Sequence, residues 1–299
     1  MKETEKNIIP RVAAVHDLSG HGRVSLTEAI PILSAMGVEV CPLPTAVLST
    51  HTYQFPGYTF CDLTEEMSGI FAHWAELNLK FDAVYSGYMG SARQIELLSQ
   101  FIEQQDDDCL IVIDPVLGDN ALLDVQKVYS KRMNEQIGGM RGLIAKADII
   151  TPNLTEACLL LEEEYPQRGL SEEEMKDLLF RLSDKGPRMV CITSVMAKDG
   201  KMYVAVYDRA LDRYWKVDCG YVNRPFHGTG DVFTSALTGA LLYGEDLIYA
   251  ANKAVGFVSA AIAETLKHPQ MQVRNGVLFE KVLVSYFSQK DTEIRYTEM

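Results

Sequence analysis

Four residues, Gly228-Thr229-Gly230-Asp231, stand at the head of a run of small and apolar residues, DVFTSALTGALL. Two glycines let a backbone come close to a ligand, and the amides that open a helix have no partner within it. With the positive end of the helix dipole behind them, such amides form a hole for an anion. A carboxylate at the same place repels a resident phosphate, unless its task is to take a proton from a hydroxyl that attacks phosphorus. The tetrapeptide therefore fits phosphoryl transfer to an alcohol, with Asp231 as base and Gly228, Thr229 and Gly230 as the anion hole. The plain structural alternative is a turn whose aspartate caps the helix.

Three other segments carry polar residues at the ends of strand-like runs. VIDPVLGD puts Asp114 and Asp119 in a loop shaped by proline and glycine, where carboxylates can hold magnesium, or water bound to it, beside phosphates. DIITPNLTEA ends with Thr151, Asn153 and Glu156; the last two are spaced one turn apart and also make a natural capping box. VCITSV closes a strand with Thr193 and Ser194, hydroxyls suited to a phosphate oxygen. No G-x-x-x-x-G-K-[ST] run is present, and GTGDVF lacks the third glycine and early position of a dinucleotide fingerprint. The kinase HRD and DFG segments are missing too. A phosphate-handling enzyme without these must use another scaffold.

The elements around these residues predict that scaffold. RVAAVH, VEVCPL, DAVYSG, CLIVID, DIIT and RMVCITS read as strands. Helices are predicted near Val24 to Met36, Leu63 to Leu79, Ala92 to Gln105, Asp124 to Lys146, Thr155 to Glu163 and Ser171 to Asp184, the last capped by Ser171 with Glu174. Alternating strands and helices imply a three-layer α/β/α sandwich with a mostly parallel sheet covered on both faces. KMYVAVYD and DRYWKVDC read as an antiparallel hairpin at one edge. After Asn223 the pattern is essentially helical, near Asp231 to Tyr243, Asp246 to Leu266 and Val277 to Ser288. In such sheets ligands bind outside the carboxyl ends of the strands, where the four polar segments fall.

With 299 residues, 47% hydrophobic and 23% charged, the chain can bury a large core, and residues 1–299 read as a single domain. A net charge of −13 excludes a nucleic acid or an anionic membrane as partner, so a bound phosphate must be held by local geometry. The first residues do not resemble a signal peptide, and the longest apolar run, AVGFVSAAIA, is too short to span a membrane; a cytoplasmic location is expected. The six cysteines form no CxxC pair and are expected as buried free thiols.

Taken together, the residues resemble the ribokinase-like superfamily, marked by a G-x-G-D anion hole and catalytic aspartate. Within it the chain looks most like the pyridoxal kinases: PLPTAVLSTHT, SGYMGS, DPVLGD and DIITPNLTE are similar to that family's motifs, in order and across nearly the whole chain. The resemblance implies ATP-dependent phosphorylation of the 5′-hydroxymethyl group of pyridoxal, pyridoxamine or pyridoxine. It also implies Asp231 as base; Asp114, Thr151, Asn153, Glu156, Thr193 and Ser194 at ATP; magnesium near Asp119 and Glu156; and Thr52, Tyr88 and His51 at the pyridine ring. A monovalent cation and a homodimer are further expectations of the family. The N-terminal HDLSGHGR departs from the pyridoxal kinase pattern and resembles the D-P-S-G-G of hydroxymethylpyrimidine kinases. Asp17, with Ser19, then falls where the ring binds, and a carboxylate there could pair with a protonated ring nitrogen; the alternative is that Asp17 or Ser19 caps the following helix. Hydroxymethylpyrimidine phosphorylation is the neighbouring reading, and a catalytically silent ligand-binding protein on the same fold is the reading from another class.

Overall fold

The computed structural model describes residues 8–117, 131–220, 226–288 and 292–299; Asp119 lies outside them. In chain order the elements are β1 (Arg11–Ser19), α1 (Leu26–Ala35), β2 (Glu39–Leu48), β3 (Phe60–Asp62), α2 (Thr64–Glu76), β4 (Ala83–Ser86), α3 (Ala92–Ile102) and β5 (Leu110–Ile113). Then follow α4 (Lys131–Ile144), β6 (Ile149–Ile150), α5 (Leu154–Leu161), α6 (Glu172–Ser183), β7 (Met189–Met196), β8 (Met202–Asp208) and β9 (Arg213–Asp218). The last are α7 (Thr229–Leu242), α8 (Leu247–Leu266), α9 (Glu280–Phe287) and β10 (Tyr296–Glu298).

The ten strands of the described residues join one sheet in the order β10-β9-β8-β7-β6-β5-β4-β1-β2-β3. From β7 to β2 the neighbours run parallel, and β3 and the β8-β9-β10 side are antiparallel. Successive strand residues point to opposite faces, and both faces are apolar, as a doubly covered sheet requires. Val12 and Ala14 of β1 pack with α1, α7, α8 and α9, while Ala13 and Val15 pack with α2 to α6. The result is the expected α/β/α layering.

Two short edge strands correct the expectation. The chain after Asn223 is not wholly helical, because Tyr296–Glu298 pairs antiparallel with β9, so the β8–β9 hairpin does not form the edge of the sheet. Likewise Phe60–Asp62 pairs with β2. Three-residue strands carry no periodic signal of their own; the neighbouring strand defines them. The cysteines are also less buried than expected: all six are free, but Cys61 is exposed and Cys41 and Cys219 are half-buried. Among the described residues no helix is long and apolar enough to cross a membrane.

Candidate active site

The carboxyl ends of β1, β4, β5 and β6 meet the first turn of α7. Gly228 is the N-cap of α7, with φ +77°, and no side chain among the described residues caps the helix. A Cβ at this position would lie 2.3 Å from the Arg23 carbonyl oxygen and 2.7 and 2.8 Å from the two Glu28 carboxyl oxygens, so the turn needs glycine on both grounds. Val232 N–H donates to Gly228 O at 2.9 Å and starts the helical ladder. The amides of Thr229 and Gly230 precede that bond and point out of the helix end. A Cβ on Gly230 would meet only Asp114 Oδ2, at 3.9 Å, so that side of the turn faces Asp114.

Asp231 is held by an amide of another element. Its Oδ2 accepts the Ser25 amide at 2.9 Å, and its side chain remains 14% exposed. His16 Nδ1 lies 3.8 Å from Asp231 Oδ1. This contact is not an ion pair, because complete burial lowers the His16 pKa to about 3 and leaves the ring neutral. Beneath the turn, Glu28 of α1 is fully buried, and neither carboxyl oxygen has a hydrogen-bond partner among the described residues. Burial first, and the Asp231 charge second, push its pKa well above the usual carboxylate range, which favours the protonated form.

Asp17 and Ser19 are the last polar residues of β1, and neither caps α1, whose N-cap is Ser25. A register shift between His16 and Leu18 interrupts the β1–β2 ladder at Asp17, and such irregularities re-aim a side chain. Asp17 is buried and accepts two hydroxyls, Ser25 Oγ on Oδ1 at 2.5 Å and Ser19 Oγ on Oδ2 at 2.9 Å. Burial raises its pKa, and the two serine hydrogen bonds oppose the rise.

Asp114 and Thr151 end β5 and β6 and are joined through α7. Thr234 Oγ1 donates to Thr151 Oγ1 at 2.9 Å and lies 3.4 Å from Asp114 Oδ2. Asn153 and Glu156 form the capping box of α5, and the second Glu156 oxygen accepts the Leu117 amide at 2.9 Å. Thr193 N–H donates to Pro152 O, which ties β7 to the Asn153 turn. Thr193 and Ser194 do not close β7, as the sequence suggests. They sit in a bulge, Ser194 at φ +58°, and the strand runs on to Met196.

The loop after β2 reaches the same turn from the other side. His51 Nε2 donates to Arg274 O at 2.6 Å, its Nδ1 accepts the Tyr53 amide at 3.2 Å, and burial lowers its pKa. With both nitrogens held by backbone, His51 has only its ring face to offer. Tyr53 and His51 pack on His227, with centroids 3.7 and 5.6 Å away, next to Gly228. Tyr88 is half-buried, its carbonyl held by Thr45 Oγ1 at 3.0 Å. Thr52 and Ser194 are exposed, and their hydroxyls make no hydrogen bond among the described residues.

The structure therefore gathers Asp17, Ser19 and Asp231 in one set, Asp114 and Thr151 in a second, and Asn153, Glu156 and Thr193 in a third. Sequence reasoning did not find Ser25, His16 or Glu28. The signals were faint: a histidine ending an apolar strand, and an acid four residues before Ile32 on the buried stripe of α1.

Comparison with known proteins bears on this arrangement. Residues 33–275 match the family model described as phosphomethylpyrimidine kinase. A Bacteroides thetaiotaomicron protein, provisionally named a phosphomethylpyrimidine kinase and crystallised with pyridoxal, is 49% identical over 97% of this chain and 100% of its own, with a TM-score of 0.90. The pyridoxal kinase structure from Lactobacillus plantarum is 30% identical over 94% and 98%, with a TM-score of 0.83. Pyridoxal kinase from Arabidopsis thaliana is 26% identical over 86% of this chain and 82% of its own.

Proposed function

The chain belongs to the phosphomethylpyrimidine kinase family and is a kinase related to the pyridoxal kinases of the ribokinase-like fold, and on that premise we propose the reaction and the residues that perform it. The reaction is transfer of the γ-phosphoryl group of ATP to the 5′-hydroxymethyl group of a B6 vitamer. The observation that carries this reading is the placement of Asp231 at an open helix end, with its carboxylate directed by another element's amide.

In this reaction Asp231 takes the hydroxymethyl proton as the oxygen bonds to the γ-phosphorus, and the bond from phosphorus to the β,γ-bridging oxygen breaks, releasing ADP. The Ser25 amide on Oδ2 fixes the direction of the carboxylate. The amides of Gly228, Thr229 and Gly230 stabilise the charge that grows on the phosphoryl oxygens. Asp17 reads the ring nitrogen, with Ser19 holding it in place, while His51, Thr52 and Tyr88 line the ring side. Asp114, Thr151, Asn153, Glu156, Thr193 and Ser194 serve the nucleotide.

Magnesium neutralises phosphate charge in this chemistry. Among the described residues no three acid, histidine or cysteine side chains converge on one point. The fit is to an ion carried chiefly by phosphates and water, with Asp119 and Glu156 as oxygen partners and Asp114, five residues before Asp119, next to them in role. A monovalent cation, a cytoplasmic location, a homodimer and one kinase domain over residues 1–299 complete the reading.

A second reading, phosphorylation of hydroxymethylpyrimidine, is favoured by the family model and by Asp17. The test is the initial rate of ADP release from Mg-ATP with pyridoxal, pyridoxamine, pyridoxine and hydroxymethylpyrimidine offered separately. A B6 vitamer with the highest kcat/KM is the expected result, and preference for the pyrimidine favours the second reading. Binding of a vitamer without turnover of any substrate points instead to a silent binder.

A further inference from the structure

Helix α1 opens on a serine that does not cap it. Ser25 occupies the N-cap with φ 53° and ψ −131°, a backbone conformation L residues rarely adopt, and its hydroxyl makes no bond to the first amides of α1. A serine at this position normally stabilises its own helix. Here both of its donors leave the helix. The hydroxyl donates to Asp17 Oδ1 at 2.5 Å and the amide donates to Asp231 Oδ2 at 2.9 Å, while the carbonyl accepts the Glu28 and Ala29 amides. The residue is 5% exposed, so water does not compete for these groups.

We propose that Ser25 is a positioning residue that fixes the ring-contact carboxylate, Asp17, and the base, Asp231, in one register. The inference rests on the roles given to those two residues above. Its physical content is that the strained backbone is held by the two donated bonds together: the hydroxyl anchors Ser25 to β1, and that anchor aims the amide at α7. A ring placed against Asp17 then presents its hydroxymethyl group to a carboxylate already set in direction, which is how positioning lowers a barrier.

Two variants separate the two bonds. Ser25→Gly removes the hydroxyl, but glycine adopts this φ and ψ without strain and keeps the amide on Asp231. Ser25→Ala removes the hydroxyl and keeps the Cβ, so the backbone relaxes and the amide leaves Asp231. The expected result with pyridoxal and Mg-ATP is a KM for pyridoxal raised about tenfold in both variants, with kcat within about twofold of wild type in Ser25→Gly and lowered about tenfold or more in Ser25→Ala. The KM for ATP stays constant in both.

A residue that only starts α1 would shift the melting temperature and leave this split absent. Equal kcat in the two variants, or a wild-type KM for pyridoxal in Ser25→Gly, overturns the inference. Should Ser25→Ala fail to fold, the pyridoxal KM of Ser25→Gly decides alone. Wild-type protein inactive with every vitamer removes the kinase reading itself and this inference with it, a result distinct from an active wild type with unaffected variants.

Discussion

Helices α5 and α7 each carry an acid three residues after the N-cap, yet the two acids do opposite things. In α5 the cap is Asn153, and Asn153 and Glu156 satisfy one another's backbone amides; the remaining Glu156 oxygen takes the Leu117 amide. The helix end is closed by its own side chains. In α7 the cap is Gly228, which has no side chain, and Asp231 reaches across to Ser25 of another element. Among the described residues no side chain caps that helix end, which is what the proposed anion site requires. Position within the first turn therefore does not decide whether an acid closes its own helix end; the residue at the cap and the partner of the acid do.

This contrast can be broken by exchanging what each acid loses. The largest effect belongs to Asp231→Asn, which is predicted to lower kcat by about a thousandfold, within the usual range for loss of a general base, while the pyridoxal Kd from calorimetry changes little. Next is Gly228→Ala. A Cβ that meets a backbone oxygen at 2.3 Å, at φ +77°, is expected to cost about 1–3 kcal/mol, read in thermal denaturation, and to lower kcat/KM because the amides of the turn move.

Glu28→Gln sharpens the comparison from beneath the turn. The folded pKa of Glu28 lies above its unfolded value of about 4.3, so its contribution is intact below that value and is lost as pH rises toward the folded pKa. The glutamine variant has no such loss. Its melting temperature is predicted to exceed that of wild type by a few degrees at pH 8, with the gap closing toward pH 5; a gap independent of pH contradicts a raised Glu28 pKa.

The smallest effect is that of Glu156→Gln, which weakens a capping box by about 1 kcal/mol. It is expected to lower the melting temperature slightly and to raise the KM for Mg-ATP while leaving kcat within a fewfold. A thousandfold fall in kcat would erase the distinction between the two helix ends.

Much of this was legible in the sequence for physical reasons. Apolar runs buried on both faces of the sheet, such as CLIVID and RMVCITS, signal a parallel sheet by themselves, and both capping boxes, Asn153 with Glu156 and Ser171 with Glu174, follow from local spacing. At Gly228 the turn was legible locally, but the close approach of Arg23 and Glu28 was not. What escaped depends on contacts between distant segments. Ser25 falls inside the helix predicted from Val24, and only the fold sends its hydroxyl to Asp17 and its amide to a residue 206 positions away. Glu28 resembles an ordinary first-turn acid until α7 covers it. The strands Phe60–Asp62 and Tyr296–Glu298, and the bulge at Thr193 and Ser194, exist only through their partners.

The most direct test of the central claim, that Asp231 acts on the proton and Glu156 does not, is the single-turnover rate of phosphoryl transfer in complexes pre-equilibrated with saturating pyridoxal and Mg-ATP, so that binding no longer enters the rate. The account predicts a rate in Asp231→Asn about a thousandfold below wild type and a rate in Glu156→Gln within a fewfold of it. A fast Asp231→Asn enzyme, or equal losses in the two variants, would contradict it.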